Sequence, residues 1–331
     1  MLREFAVEPE AIATWERFRY VIEKFGFEQG RLISRFPENW PRLVERAMES
    51  SERSWQARQK MAERLRRLKR GDRHALIALE WRANRYHQSR SWRTNAIDEH
   101  QRYPFHAVVT VSECKGLTPV IVADSAEDRD FVVDRSVVVP RTAEGIAAAV
   151  APLLTIATEI LFVDPYYRAE DERCRRPLIR MLELATANGR IPRRCEFHTS
   201  TPGQMRFRNF EDLCRRNLAP ALPSGMKFRI LRWKQVEDQG RPTGERIHPR
   251  YILTDVGGIS VEGGLDEGRP GETTDLSLMS EAQWRFRWEQ YSNNPRLCGL
   301  GSSPSAGRVS ESASPTFSPA DLDDNGRVLF V

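Results

Sequence analysis

No apolar stretch in this sequence approaches the roughly 18 residues that a membrane-spanning helix needs, so none is expected to cross a bilayer. The opening residues Met1-Leu2-Arg3-Glu4-Phe5 lack a basic segment followed by an apolar run, and no secretory signal is expected. Cysteine is sparse and odd in number: Cys114, Cys174, Cys195, Cys214 and Cys298 are scattered, with no C-x-x-C pair. That spacing argues against a disulfide framework or a zinc knuckle and for a reducing, cytoplasmic compartment. Also missing are a G-x-x-x-x-G-K-[ST] loop, an H-E-x-x-H helix and a G-x-S-x-G elbow, so an ATPase, a zinc protease and a serine hydrolase have no support. No metal site, cofactor or internal repeat is expected.

What is present is an ordinary globular composition, 40% apolar and 29% charged over 331 residues, enough for one large or two modest domains. The net charge of +5 conceals an asymmetry. Between Arg53 and Arg93 thirteen Arg and Lys residues face three acids, so this stretch carries +10 and the remainder −5. Positive charge concentrated in this way is what a polyanion would feel. Arg58, Lys60, Arg64, Arg66, Arg67, Lys69, Arg70 and Arg73 are the candidate nucleic-acid contacts, with Trp55, Trp81, Tyr86 and Trp92 interleaved for stacking. The competing reading is a solvated helix face whose aromatics belong to the core.

Residues 1–102 read as a mainly helical, basic N-terminal domain. Ile12, Trp15, Phe18, Ile22 and Phe25 recur at spacings of three and four; Met61, Leu65 and Leu68 do so in a helix over 51–69. A further helix running to Tyr86 carries Leu76, Leu79 and Ala83. After Tyr103-Pro104 the pattern changes to β-branched runs near 106–112, 119–123 and 131–139, a β-rich connecting segment over 103–142. From 143 to 298 helices (143–157, 171–187, 204–217, 281–291) alternate with strands (159–163, 194–198, 226–233, 246–254, 258–262). That order predicts an α/β domain whose mixed sheet is flanked by helices. Residues 299–331 are dominated by Ser, Pro and Gly and are expected to be disordered, with the terminal Val-Leu-Phe-Val excepted.

The chemistry-bearing segment runs from Ile247 to Asp266. In an extended strand, His248 and Arg250 project from one face about 7 Å apart, and Asp255 falls at the strand's end. Gly257-Gly258 then makes a turn, and Gly263-Gly264 permits close backbone approach where the next strand returns. An imidazole can attack phosphorus without prior deprotonation, and a neighbouring cation offsets charge on phosphoryl oxygens. This pattern resembles the phospholipase D superfamily, whose motif is His-x-Lys-x4-Asp followed by Gly-Ser-x-Asn. Arg250 stands in the Lys position, Gly264 replaces Ser, Asp266 replaces Asn, and one extra residue enters the spacing. Ile160 to Tyr166 resembles the strand and turn that open such domains, so the resemblance covers residues 143–298.

The resemblance implies a metal-independent phosphodiesterase, a nuclease or nucleic-acid-processing protein, working through a phosphohistidine on His248. Arg250 would grip the phosphate, Asp255 would support the motif, and Gly263, Gly264 and Asp266 would lie against the substrate. A second motif is missing: His100-Gln101-Arg102 has Ala107 at the acidic position, and His198 has no cation two residues on. Single-motif members complete their site across a twofold, so a homodimer is implied if the domain is active. His198, near a strand end, is a further candidate for the substrate cleft. By family analogy such compact proteins serve bacterial defence or mobile elements. The alternative is a catalytically silent module retained to bind nucleic acid or assemble a complex with protein partners. A phospholipid substrate ranks below both, because no membrane-seeking helix is evident.

Overall fold

The computed structural model describes residues 1–71, 74–200, 207–235, 237–238, 241–242, 249–292, 317–319 and 329–330. The chain divides into two compact units, Met1–Arg135 and Ser136–Val331. Both are α/β.

The first unit contains β1 (Arg3–Val7), α1 (Trp15–Glu23), β2 (Arg31–Ser34), α2 (Trp40–Ser51) and α3 (Trp55–Lys69). It continues with β3 (Leu76–Ile77), α4 (Glu80–Ala83), α5 (Trp92–Arg102), β4 (Ala107–Thr110) and β5 (Val120–Val122). The five strands are all parallel and lie in the order β3-β2-β1-β4-β5. Alternation along β1 sends Phe5 and Val7 into one core with α1, α2 and α3, and Ala6 into another with Trp92 and Phe105. The α1 stripe behaves as its spacing predicts: Ile12, Phe18, Ile22 and Phe25 are buried, with Trp15 packed at their margin.

Helices make up most of the ordered elements over 1–102, but they flank a parallel sheet that the periodicity does not predict. The three strands over 1–102 are runs of only two to five residues, and consecutive residues are buried along β1 and β2, so they show no period-2 alternation. The helix expected to run to Tyr86 is interrupted because Leu76 and Ile77 pair with Ile33 and Ser34 of β2. Nor is 103–142 a separate segment. β4 and β5 complete the first unit's sheet, and Phe131 packs with Phe5 and Phe25 in its core. The strand expected over 131–139 begins only at Ser136, in the second unit.

Order reversal between β1 and β4 places a crevice at their carboxyl ends, where doubly wound sheets bind ligands. Here Glu8 occupies it. The buried Glu8 carboxylate accepts hydrogen bonds from Arg93 Nε and Nη2 at 2.5 and 2.9 Å and from the Val111 amide at 2.8 Å. A second buried charge cluster centres on Arg82, which donates to Glu99 (3.0 Å), Glu4 (2.9 Å) and the Tyr103 carbonyl (3.0 Å). Its guanidinium also lies 4.3 Å from the Phe105 ring centroid.

The second unit comprises β6 (Ser136–Pro140), α6 (Ala143–Ile156), β7 (Glu159–Val163), α7 (Glu172–Ala185), β8 (Arg194–Ser200), α8 (Phe207–Asn217) and β9 (Arg229–Gln235). It continues through β10 (Glu237–Asp238), β11 (Arg241–Pro242), β12 (Arg250–Thr254), β13 (Gly258–Val261), β14 (Thr273–Leu278) and α9 (Glu281–Ser292). β15 (Phe317–Pro319) and β16 (Leu329–Phe330) both pair antiparallel with β9. Phe317–Pro319 depart from the expected disorder of 299–331, whereas Leu329–Phe330 fall in the terminal Val-Leu-Phe-Val excepted from it; the rest of that segment lies outside the described residues. β10 and β11 pair antiparallel with each other.

The large sheet is mixed, in the order β15-β9-β8-β7-β12-β13-β14-β6, with β7, β8 and β9 parallel and the other neighbours antiparallel. One face carries Leu161, Val163, Tyr251 and Leu253 against Trp284 and Tyr291 of α9. Trp284 Nε1 donates to the Thr254 carbonyl at 2.9 Å, and a Cβ at Gly258 would meet Met279 Sδ at 2.7 Å and Trp284 Cδ1 at 3.1 Å, so glycine there lets Met279 and α9 pack close to the strand. The opposite face carries Ile160, Phe162, Phe197 and Ile252, all fully buried. Among the described residues no helix is long and apolar enough to cross a membrane.

Glu196 on β8 is fully buried, yet Arg194 donates to it at 2.7 and 2.8 Å, His198 Nε2 at 3.3 Å, and Arg229 reaches it at 2.5 Å. Burial alone would raise its pKa; the hydrogen bonds and the arginine charge outweigh this and bring it down to about 2. A depressed carboxylate contributes stability above its unfolded value of 4.5, and that contribution disappears as pH falls toward about 2. Glu196→Gln should therefore cost about 1–3 kcal/mol at neutral pH, with the gap to wild type closing on acidification. Urea midpoints measured across that range check it; a pH-independent gap would contradict the assignment.

Candidate functional site

Three strand ends converge in the second unit. β7 leaves the sheet at Val163 and runs into Asp164-Pro165-Tyr166-Tyr167. β12 enters antiparallel beside it at Arg250, with Tyr251 opposite Val163. β13 leaves at Val261, opposite Arg250, and runs into Gly263-Gly264-Leu265-Asp266. The three ends enclose a cavity of about 240 Å³.

Asp164 ties two of the loops together. Its Oδ1 accepts from the Tyr166 amide at 2.9 Å and its Oδ2 from the Leu265 amide at 2.8 Å. Burial raises its pKa, opposed by those two amides and by the nearby Arg250 charge. Gly264 has φ +103°, and a Cβ there would meet Asp266 Oδ1 at 2.6 Å, so this turn requires glycine. The loop is pinned from outside by Arg141, which follows β6. Arg141 Nη2 donates to the Asp266 carboxylate, Arg141 Nε to the Asp266 carbonyl (3.1 Å), and the Arg141 carbonyl accepts from the Gly268 amide (2.7 Å). Arg173, at the start of α7, donates to the Glu267 carbonyl and lies 3.6 Å from Asp266.

Arginines 141, 168, 173 and 250 line the cavity against Asp164, Asp171 and Asp266. These carboxylates are committed: Asp164 to loop amides, Asp171 to capping α7 through the Arg173 amide, Asp266 to Arg141. Arg250 differs. Its guanidinium lies 4.9 Å from the Tyr166 ring centroid, its Nε is buried, and among the described residues that Nε has no hydrogen-bond partner. Burial pushes the Cys174 thiol, which also lines the cavity, up to about 11, so it is neutral here.

No protein-family model matches the chain, and no curated protein matches it.

Of the residues expected to act together, Arg250, Gly263 and Asp266 line the one cavity, and Gly264 shapes its wall. His248 lies outside the described residues, as does Arg73. Asp255 is not in the cavity. It sits past the far end of β12, about 16 Å of extended chain from Arg250. Its carboxylate accepts from the Thr158 amide (2.9 Å), the Thr158 hydroxyl (2.6 Å) and the Glu159 amide (3.1 Å). Its work is to clamp the start of β7.

His198 is not a cavity residue either. It registers with Val163, which registers with Tyr251, so all three face α9 while Arg250 faces the other way. Fully buried beside Tyr291 and bonded to Glu196, its imidazole has a pKa lowered by burial and is neutral. His100 belongs to α5, with its ring nitrogens at the Thr118 carbonyl and the Phe105 amide. Arg141, Asp164, Tyr167 and Arg173 were missed by sequence reasoning. The available signal was a charged residue at the end of a β-branched run, as in Val139-Pro140-Arg141 and Phe162-Val163-Asp164.

In the first unit α3 does carry a basic outer face. Arg64 pairs with Glu23, Arg66 and Arg67 with Glu63, and Lys69 with Glu45, while Lys60 and Arg64 lie over the Trp15 ring. Arg58 and Arg70 make no ion pair among the described residues. Trp55 is 66% exposed, but Trp92 is buried and Tyr86 packs on Phe36, so those two aromatics serve the core.

Proposed function

We propose that the second unit is a metal-independent phosphodiesterase of phospholipase D type that acts on nucleic acid. The observation that carries this reading is Arg250: a guanidinium stacked on an aromatic ring, with a buried, unpartnered N–H, in an arginine-lined cavity at three converging strand ends. An ester phosphate fits the charge of that cavity and would match the unpartnered N–H. His248, two residues before Arg250, supplies the nucleophile. Its ring nitrogen forms a bond to phosphorus as the bond to the leaving oxygen breaks, and water then cleaves the phosphohistidine.

A proton must reach the leaving oxygen, and His198 cannot bring it from the other face of the sheet. A second copy of His248, delivered by a twofold dimer, fills that role. The solvent-facing cations of α3 and the exposed Trp55 support a polyanionic substrate.

A second reading, a silent module that binds nucleic acid or assembles a complex, is favoured by one specific feature. Asp266, at the motif's Asn position, is held by Arg141 and cannot offer an amide donor to a substrate. A nuclease assay in EDTA separates the two. Cleavage by wild type that His248→Ala abolishes supports the enzyme. No cleavage of single- or double-stranded DNA or RNA by either protein would leave the silent module.

A further inference from the structure

Tyr167 lines the same cavity as Arg250, is 4% exposed, and its hydroxyl is buried with no hydrogen-bond partner among the described residues. A buried polar group left unmatched is costly, and native structures keep few of them. Here two such donors, the Tyr167 hydroxyl and Arg250 Nε–H, belong to residues that line one cavity. Neither is loosely placed: the Tyr167 ring packs 4.4 Å from Phe197, and the Arg250 guanidinium rests on Tyr166. The carboxylates that might have matched them are committed to backbone amides or to arginine.

We propose that the Tyr167 hydroxyl and Arg250 Nε–H together form a two-donor seat for the oxygens of one phosphate group, making Tyr167 a substrate-contacting residue. The inference rests on reading the cavity as a phosphodiester site, and it adds a neutral donor that the motif residues do not supply. A phosphate has enough oxygens to accept from donors approaching on two sides while keeping its ester links. Burial holds the Tyr167 pKa well above that of a free phenol, so at neutral pH the hydroxyl keeps its proton and can only gain by donating it to an anion. Arg250 brings the charge, and Tyr167 fixes the orientation.

The test uses inorganic phosphate and the full chain. ³¹P line broadening gives the affinity, and thermal unfolding with and without phosphate gives the coupling. Tyr167→Phe should bind phosphate roughly tenfold more weakly, the loss of about one hydrogen bond to an anion. Without phosphate the variant should melt no lower than wild type, because an unmatched group has been removed. Its phosphate-induced rise in Tm should shrink accordingly.

The seat is overturned if wild type does not bind phosphate, if Tyr167→Phe binds it as tightly, or if the variant is less stable without phosphate, since the hydroxyl would then have a protein partner. The enzyme reading fails separately. Phosphate binding that weakens in Tyr167→Phe, in a wild type that cleaves nothing, keeps the seat and removes the catalysis. Cleavage with unchanged phosphate binding does the reverse.

Discussion

Arg250→Ala is expected to lower phosphodiester cleavage by about 10²–10³-fold, the usual effect of removing one preorganised donor from a developing oxyanion. The expectation follows from position. Arg250 opens β12, its guanidinium is braced on Tyr166, and its Nε–H is committed to nothing else among the described residues. Arg250→Lys should retain more activity than Arg250→Ala, since it keeps the charge, but less than wild type. An ammonium neither stacks on the Tyr166 ring nor offers a planar fork. Initial rates on a single-stranded oligonucleotide in EDTA, compared across the three proteins, check this. Equal rates in wild type and Arg250→Ala would remove Arg250 from the reaction.

Arg82→Met should be the most damaging single change for folding in the first unit, costing about 3–5 kcal/mol. Arg82 is buried, and its loss strands two carboxylates, Glu4 and Glu99, that burial already holds above the usual carboxylate range. Arg85 remains near Glu99 at 3.4 Å and offsets only part of the loss. The pH dependence has a definite sign. Without Arg82 the folded state holds protons on Glu4 and Glu99 more tightly than the unfolded chain does, so acidification favours the folded variant. The destabilisation should be larger at mildly alkaline than at mildly acidic pH in urea titrations. A cost that did not change with pH would mean that these carboxylates are not the groups left stranded.

Sequence periodicity carried further in the second unit than in the first. The helix expected over 143–157 is Ala143–Ile156, and the one expected over 281–291 is Glu281–Ser292, because each is rich in good helix formers and opens on a capping hydroxyl, Thr142 or Ser280. In the first unit, Arg31–Ser34 and Leu76–Ile77 become strands only because neighbouring strands pair with them, and pairing partners are not written in a local window. The site divides in the same way. Alternation along one strand is local, and the loop glycines after β13 mark a turn, so Arg250, Gly263 and Asp266 could be grouped in advance. The face that His198 shares with Val163 and Tyr251 depends on inter-strand register, which the residues around His198 do not encode. Asp255 was legible as a motif position but not as a clamp, because Thr158 is 97 residues away in the chain.

Glu8 gives the first unit a peculiarity of its own. Doubly wound sheets usually leave the notch at their order reversal open to an anion from solution; here the polypeptide has brought its own. A nucleotide or similar guest arriving there would find the guanidinium and the amide already taken by a resident that cannot diffuse away. The sheet of this unit is then a scaffold whose customary berth is held by its own side chain.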